Sequence, residues 1–245
     1  MKKITLILLG FTLLAGTACK KDKDNNNDSP TPSAKVCMLS KEQGSDGSYS
    51  NYTYNAQNRL TASNSFDPAD TSTTNLTYTY TGSQVLVSDG GLTNQTYYLN
   101  SKGYGDSALI SIAGIAEFRS VNKFNSNGEV IESFFSGEVF GTTFEITTTY
   151  EYVNGNRVKE TEDDGTDVSV TTYEYYTDKV NHAAKSEEAQ EFMNANKNLV
   201  KKATYDDGSF DTYTYEFDAD GKATKQITTN SVTGVSSNQY TWTCK

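Results

Sequence analysis

The chain has 245 residues and a formal net charge of −10 at neutral pH, and it contains 17 tyrosines, three prolines and a single histidine. An acidic protein repels phosphate backbones, which argues against nucleic acid as a partner. Abundant tyrosine and threonine are typical of β-strands. A single histidine also excludes the usual histidine-rich zinc sites.

The first 18 residues contain the three regions of a secretory signal peptide in the expected order. Lys2 and Lys3 form a positive end, residues 4–14 are an apolar run, and residues 16–18 are small. A run of about 11 residues is too short for a transmembrane helix, which needs roughly 20. We therefore predict that residues 1–18 are removed during export.

Cys19 directly follows these small residues. The junction resembles the lipobox of bacterial lipoproteins, with Gly16 where that pattern usually has leucine. The resemblance implies that Cys19 is lipidated and holds the protein to a membrane, since two or more acyl chains give stable attachment. Apart from this covalent lipid, no cofactor is expected. The alternative is ordinary cleavage near Ala18, which would leave Cys19 as a free thiol.

A polar segment separates Cys19 from the rest of the chain. Residues 20–33 are rich in Lys, Asp and Asn and cannot bury apolar surface, so we predict that residues 19–34 are a disordered tether. The charged run resembles that of surface lipoproteins from Bacteroides-type bacteria, which implies the outer membrane and leaves its outer face open as the location. Residues 35–245 are then expected to form one β domain.

One local pattern recurs along this domain. An aromatic residue ends a strand, four turn-forming residues follow, and the next strand begins with a charged residue and an aliphatic or small one. Asn, Asp and Gly dominate the turns, which is typical of β-hairpins. The pattern occurs at residues 52–60, 124–130, 150–158 and 213–223.

A second type of turn lies between these repeats. Asp46-Gly47, Asp164-Gly165 and Asp207-Gly208 are two-residue hairpin signals, and Asp89-Gly-Gly91 is similar. The turns delimit about 14–16 strands of roughly 7–12 residues. Sequences such as Thr-Tyr-Thr-Tyr at residues 77–80 alternate strictly, which predicts tyrosine inside and threonine outside.

Residues 178–198 lack strand alternation. Ser186 is a favourable N-cap, acidic residues follow it, and Ala189, Phe192 and Met193 share a helical face. We predict one short helix near residues 186–195. It could be a plug or lid, or a long connection that covers an open end of the sheet.

Two families share short patterns with this chain. The recurring tyrosine and turn pattern resembles the tyrosine–aspartate repeats of Rhs-type shell proteins. Residues 52–60, 197–202 and 240–244, together with Cys19, resemble an uncharacterised family of Bacteroides-group lipoproteins with a porin-like β fold. The resemblance implies an all-β, up-and-down antiparallel sheet curled into a barrel or near-closed barrel, and it implies no activity.

The strand faces favour a soluble barrel over a transmembrane one. A membrane barrel needs a continuous apolar outer face. In residues 168–175, one face carries Ser169, Thr171 and Tyr173 and the other includes Thr172 and Glu174. Neither face suits lipid.

The sequence provides weak candidates for chemistry. His182 is expected to be a surface or packing residue, and the acidic turns at 162–167 and 218–220 lack the ligand spacing of a calcium loop. Phe134-Phe135 and Tyr104 could offer aromatic surface to a sugar or peptide. No catalytic or metal-binding residue is assigned, and the ligand-binding residues remain unassigned.

These observations favour a non-enzymatic surface module that binds a glycan, a peptide or a partner protein. The alternatives are a glycoside hydrolase-like enzyme with a carboxylate pair at the barrel rim and a purely structural envelope protein. A concave pocket with two close, buried carboxylates would favour the enzyme.

Cys37 and Cys244 remain as a pair once Cys19 is lipidated. Export places them in an oxidising compartment, so we predict a disulfide between them. They belong to the first and last strands. In a sequential hairpin topology these strands meet only if the sheet closes or nearly closes. The alternative is two buried free thiols.

Overall fold

The computed structural model describes residues 36–113 and 115–245, and these residues form sixteen strands and one short helix. The expected signal peptide (1–18), lipidated Cys19 and tether (19–34) lie outside the described residues. No helix among the described residues is long and apolar enough to cross a membrane. The strands are β1 (Cys37–Gly44), β2 (Tyr49–Tyr54), β3 (Leu60–Asp67), β4 (Ser72–Thr81), β5 (Gln84–Ser88), β6 (Thr93–Leu99), β7 (Gly105–Ile112), β8 (Ala116–Phe124), β9 (Val130–Val139), β10 (Thr142–Val153), β11 (Asn156–Asp163), β12 (Val168–Val180), β13 (Asn198–Tyr205), β14 (Phe210–Phe217), β15 (Ala223–Asn230) and β16 (Gly234–Cys244), and the helix α1 is Ala184–Glu191.

The strands form one closed antiparallel barrel in which each strand pairs with its neighbours in sequence. The seam is the pairing of β1 with β16, whose register runs from Cys37 opposite Cys244 to Gly44 opposite Asn238. The predicted all-β, up-and-down barrel is confirmed, and it is fully closed. Cys37 and Cys244 are joined by a disulfide, with their Cα atoms 4.0 Å apart.

The up-and-down order separates the turns between the two ends of the barrel. Turns that follow even-numbered strands lie at the end where the described chain starts and finishes, and Val36 exchanges backbone hydrogen bonds with Lys245 there. Residues 181–197, which link β12 to β13, cross the barrel at this end. We call it the closed end, and we call the opposite end, with the turns after odd-numbered strands, the open end.

Four closed-end turns share one hydrogen-bonding pattern. In each turn the side-chain oxygen of the first residue accepts two backbone N–H bonds, from the residues two and four positions later. This use of Asn and Asp explains the pattern that recurs in the sequence. The first residues of these turns are Asn55, Asn100, Asn125 and Asp218.

One of the four repeats predicted from the sequence, at residues 150–158, differs from the other three. Residues 153–156 were expected to form a four-residue turn, but β10 continues to Val153 and β11 starts at Asn156. Asn154 and Gly155 form a two-residue turn with φ values of 53° and 80°. Both values are positive, as a type I′ hairpin requires. The turn at residues 100–104 takes its place as the fourth member of the group.

The four Asp-Gly turns named in the sequence analysis lie at the open end, and each has four residues between its strands where a two-residue turn was expected. Asp46, Asp89, Asp164 and Asp207 each follow an odd-numbered strand. Each side chain accepts backbone N–H bonds from its own turn. The open end therefore carries a ring of carboxylates.

Alternation along the strands separates the two faces of the barrel as predicted. In β4, Tyr78 and Tyr80 are partly buried, whereas Thr77, Thr79 and Thr81 between and beside them are exposed. Inward tyrosines pack with small aliphatic clusters, such as Val200 and Ala203 with Tyr213. The predicted arrangement of tyrosine inside and threonine outside is confirmed.

The helix forms where one was predicted, but its start differs. Its N-cap is Ala183 and it ends at Glu191, with Phe192 as the C-cap. Ser186 therefore lies inside the helix and does not cap it. Its hydroxyl instead accepts the backbone N–H of Leu39 at 2.6 Å, so tertiary contact with β1 replaces the expected cap.

Candidate ligand cavity

The segment from Asn181 to Lys197 forms the floor of the barrel interior. It bonds to strands on distant parts of the wall: Ser186 to β1, the Phe192 carbonyl to the Gly105 N–H of β7 at 2.7 Å, and Lys197 N–H to the Gly155 carbonyl at 2.9 Å. Because these partners lie around the barrel, the segment spans its mouth. The segment therefore covers this end of the barrel, which fits both alternatives left by the sequence, and we call it the plug segment.

Phe192 fixes the far end of this floor. Its φ is 54°, a left-handed conformation that is unusual for an aromatic residue, and its N–H donates to the Glu188 carbonyl. The ring is buried against Val85 and Val87 and lies 4.7 Å from the Tyr97 ring. Burial of this side chain offsets the backbone strain and pins the helix end to the β5–β6 wall.

Buried asparagines hold the two ends of the segment. The Asn198 N–H donates to Asn156 Oδ1 at 2.8 Å, and Asn156 Nδ2 donates back to Asn198 Oδ1 at 3.1 Å. At the other end, Asn181 Oδ1 accepts the Ala183 N–H and Asn181 Nδ2 lies 3.3 Å from Glu187 Oε2. Buried amides satisfied in this way specify a single arrangement of the loop.

Above this floor is a cavity of about 580 Å³. Strands β1 to β4 and β16 form its wall, and it extends from the floor to the open-end turns. Aromatic side chains on the wall include Tyr52, Tyr240 and Trp242, and hydroxyl side chains include Ser50, Ser65 and Thr74. Volumes of about 300–1,000 Å³ are usual for small-molecule sites.

On the β8–β10 side of the barrel, aromatic side chains pack against one another. Phe118, Phe135 and Phe144 pack with ring centroids 5.7–5.8 Å apart. Phe135 of the Phe134-Phe135 pair is thus a packing residue. Tyr104 is likewise stacked on Phe124, with ring centroids 6.0 Å apart. Neither of these aromatic candidates lines the cavity.

Glu42 is a carboxylate on the β1 part of the cavity wall. Asn238 Nδ2 donates to its Oε1 at 2.9 Å, and Oε2 accepts no hydrogen bond from the described residues. Burial raises the pKa of Glu42, and the Asn238 bond offsets part of that rise. Burial also raises the pKa of Tyr240 well above its usual value, and the nearby charges of Glu42 and Glu187 add to the rise.

The ionisable groups that line the cavity are nearly all acidic. Glu42 and Glu187 lie inside, whereas Asp46, Asp67 and Asp70 surround the mouth. His182, on the floor, is the one potentially basic side chain among the described lining residues, and it is solvent-exposed. The resulting negative potential favours neutral or cationic ligands over anions.

A separate charged cluster lies on the β10–β12 wall. Arg157 Nη1 is 3.1 Å from Glu160 Oε2, and the guanidinium lies over the Tyr150 and Tyr173 rings at 5.1 and 5.3 Å. Glu191, at the end of α1, accepts no hydrogen bond within the described part of the chain. Burial raises the pKa of Glu191 to about 7, with Arg157 lowering it by a smaller amount.

The acidic turns considered for calcium are occupied by their own backbone. Asp164 Oδ1 accepts the N–H groups of Thr166 and Asp167, and Asp218 pairs with Lys222 at 3.0 Å. No group of three or more potential metal-ligating side chains occurs in residues 36–113 and 115–245.

Sequence reasoning missed Glu42, Asn238 and Tyr240. The inward position of Glu42 in the first strand was readable, but Glu42 and Asn238 are separated by 196 positions and meet only across the seam. Barrel closure could be predicted, whereas the register that brings these side chains together could not.

The described chain is thus a closed antiparallel barrel with a plug at one end and a cavity reached from the other. No family model and no curated protein matches the sequence. Among solved structures, a porin-like protein from Bacteroides uniformis matches with a TM-score of 0.63 and 18% identity, over 84% of this chain and 98% of that one.

A second porin-like protein, from Bacteroides vulgatus, matches with a TM-score of 0.57 and 11% identity, over 83% of this chain and 98% of that one. At these identities the likeness establishes the fold. It confirms the expected similarity to a porin-like β fold, while lipidation of Cys19 and the relation to tyrosine–aspartate repeats stay predictions.

Proposed function

We propose that this protein is a non-enzymatic, lipid-anchored binding module that takes a short, hydroxyl-rich ligand such as a glycan into the barrel cavity. The cavity itself carries the proposal. It combines the aromatic side chains of Tyr52, Tyr240 and Trp242 with hydroxyl, amide and carboxylate groups around a fixed floor. Such a mixture of apolar surface and a few polar groups is characteristic of small-molecule sites.

The exterior of the barrel supports a soluble module over a transmembrane channel. Outward positions carry threonines and ion pairs between neighbouring strands, where a lipid-facing barrel needs an apolar band. The ion pairs are Lys123–Glu132, Lys159–Glu151, Lys201–Glu174 and Lys225–Glu216.

The position of the amino terminus suggests how the module is oriented. Val36 is paired with Lys245 at the closed end, so the predicted tether joins the barrel there. A lipid on Cys19 would place the closed end nearer the membrane and leave the acidic mouth facing away from it. This arrangement exposes the cavity to ligands in solution.

Two variants test binding in the cavity. Thr74→Trp would fill the cavity, whereas Thr73→Trp adds the same ring on the opposite face of β4. On a glycan array, we expect the mature protein and Thr73→Trp to bind the same glycans and Thr74→Trp to lose them. Binding unaffected by both substitutions would place the ligand elsewhere, and no binding by any form would favour a structural role.

The anchor is tested separately. Cys19→Ser, or treatment of cells with globomycin, should block lipoprotein processing and leave a larger precursor that still carries residues 1–18. A Cys19→Ser protein that is still cleaved to the size of the unsubstituted mature protein would contradict the anchor and leave the cavity proposal intact.

A hydrolase remains the second candidate because Glu42 and Glu187 line the same cavity and both influence Tyr240. Two carboxylates are the usual catalytic set of glycoside hydrolases. Incubation with each bound glycan and detection of new reducing ends separates the two functions. Hydrolysis that is lost in both Glu42→Gln and Glu187→Gln would replace the binding proposal, and intact glycans would support it.

A further inference from the structure

The cavity contains a carboxylate without a countercharge. Glu42 is partly buried, and among residues 36–113 and 115–245 it forms no salt bridge and accepts one hydrogen bond, from Asn238. No Lys or Arg is among the described residues that line the cavity. Buried charges are normally paired, because moving a charged group out of water is costly when no opposite charge compensates for the lost hydration.

The surroundings of Glu42 suit a cation. Glu42 lies opposite Tyr240 in the β1–β16 register and opposite Ser50 in the β1–β2 register. Tyr52 lies two residues after Ser50 on the same face of β2 and is buried. Burial raises the pKa of Tyr52, and the negative charge of Glu42 adds to the rise. Tyrosine rings attract cations through their faces, and this attraction strengthens in a desolvated site.

The mouth adds a longer-range contribution. Asp46, Asp67 and Asp70 border the opening, so a positively charged ligand is attracted before it reaches Glu42. A neutral ligand receives no such attraction, and an anionic ligand is repelled. Three independent features thus favour the same sign of charge: the mouth, the aromatic wall and the free carboxylate oxygen.

We infer that the ligand carries a protonated amine and that Glu42 binds it, which makes an amino sugar with a free amine the chemical class that this cavity takes. This inference rests on the proposed function and narrows it. The ammonium group donates to Glu42 Oε2 and lies against the Tyr52 and Tyr240 side chains, while the sugar hydroxyls bond to Ser50, Ser65 and the Asn238 amide.

Glucosamine trisaccharide and its fully N-acetylated counterpart test the inference. They share a sugar backbone, but the first carries protonated amines where the second carries neutral amides. Calorimetry with the mature, full-length protein in detergent should show tighter binding of the free-amine form. Glu42→Gln should weaken binding of the free-amine form by about tenfold to a hundredfold, because a hydrogen bond between two charged groups is lost. It should leave the acetylated form unchanged.

Glu145→Gln is the matched control, because Glu145 is exposed on the outer face of β10. Glu145→Gln should leave the affinities for the free-amine and the N-acetylated trisaccharides unchanged. An unchanged melting temperature for Glu42→Gln shows that the barrel is intact. Equal affinity for the two sugars, or equal weakening of both by Glu42→Gln, would overturn the amine inference and leave glycan binding standing. Binding of neither sugar, together with an array that shows no ligand, would overturn the proposed function itself.

Discussion

The two ends of this barrel are built differently. At the closed end, Asn and Asp side chains organise the turns, the residue that starts the next strand is buried, and a plug segment spans the mouth. At the open end, Asp-Gly turns project into solvent, and apolar side chains such as Phe140, which is 89% exposed, contact little. The contrast indicates that stability is concentrated at the closed end, while the open end is free to meet ligands.

The largest expected effect comes from the buried core near the plug. Leu60 is fully buried against Leu39 and Tyr52, so Leu60→Ala should lower the free energy of unfolding by about 3 kcal/mol. Leu92→Ala, at an exposed open-end turn, should change it by less than about 0.5 kcal/mol. Urea denaturation measures both changes in the free energy of unfolding. Comparable losses of stability in the two variants would contradict the proposed difference between the ends.

The disulfide at the closed end should have the next largest effect. Cys37 and Cys244 are 207 positions apart, and replacing both with serine should cost about 2–4 kcal/mol, because the open chain gains conformational freedom when unfolded. Mature protein unfolded without reductant should contain no titratable thiol from this pair. Two reactive thiols per molecule would contradict the bond while leaving barrel closure unaffected.

Glu191, at the end of the plug helix, predicts a pH-dependent effect. Its pKa in the folded protein is about 7, above the value of 4.5 for a free glutamate, so the neutral form is favoured by folding. The cost of ionising it is therefore present above pH 7 and disappears below about pH 4.5. Because solvent partly reaches this group, we expect Glu191→Gln to stabilise the protein by about 1–2 kcal/mol at pH 8 and by nothing measurable at pH 4.

Chemical denaturation at the two pH values checks this prediction. Glu145→Gln, on the outer surface, serves as the control for removal of one negative charge. A gain from Glu191→Gln that is equal at pH 4 and pH 8 would show that the effect is unrelated to ionisation.

The smallest effect compares two equivalent turns at opposite ends. Phe140-Gly141 at the open end and Asn154-Gly155 at the closed end both have positive φ at each residue. Asparagine tolerates this conformation better than phenylalanine, so Phe140→Asn should stabilise the protein by about 1 kcal/mol and Asn154→Phe should destabilise it by a similar amount. If Phe140→Asn destabilises the isolated protein, then Phe140 makes contacts that its exposure does not reveal.

Much of the fold follows from local rules that the sequence displays. Strand alternation predicted which tyrosines point inward, and the Asx and Asp-Gly signals predicted the hairpins. The errors arose where tertiary contacts override local preference: Ser186 bonds to Leu39 and does not cap the helix, and β10 extends to Val153 and shortens the next turn. The cavity depends on register and on side chains from opposite ends of the sequence, which no local pattern specifies.

The β1–β16 seam has a consequence for the order of assembly. Every other strand pair in residues 36–113 and 115–245 is sequential, so hairpins can form one after another as the chain is synthesised. Until β16 arrives, β1 and the most recent strand are both unpaired edges that can associate with other chains. Pairing of β16 with β1 closes the barrel and removes both edges in a single event. A chain truncated before Gly234 would therefore keep two unpaired edge strands and aggregate.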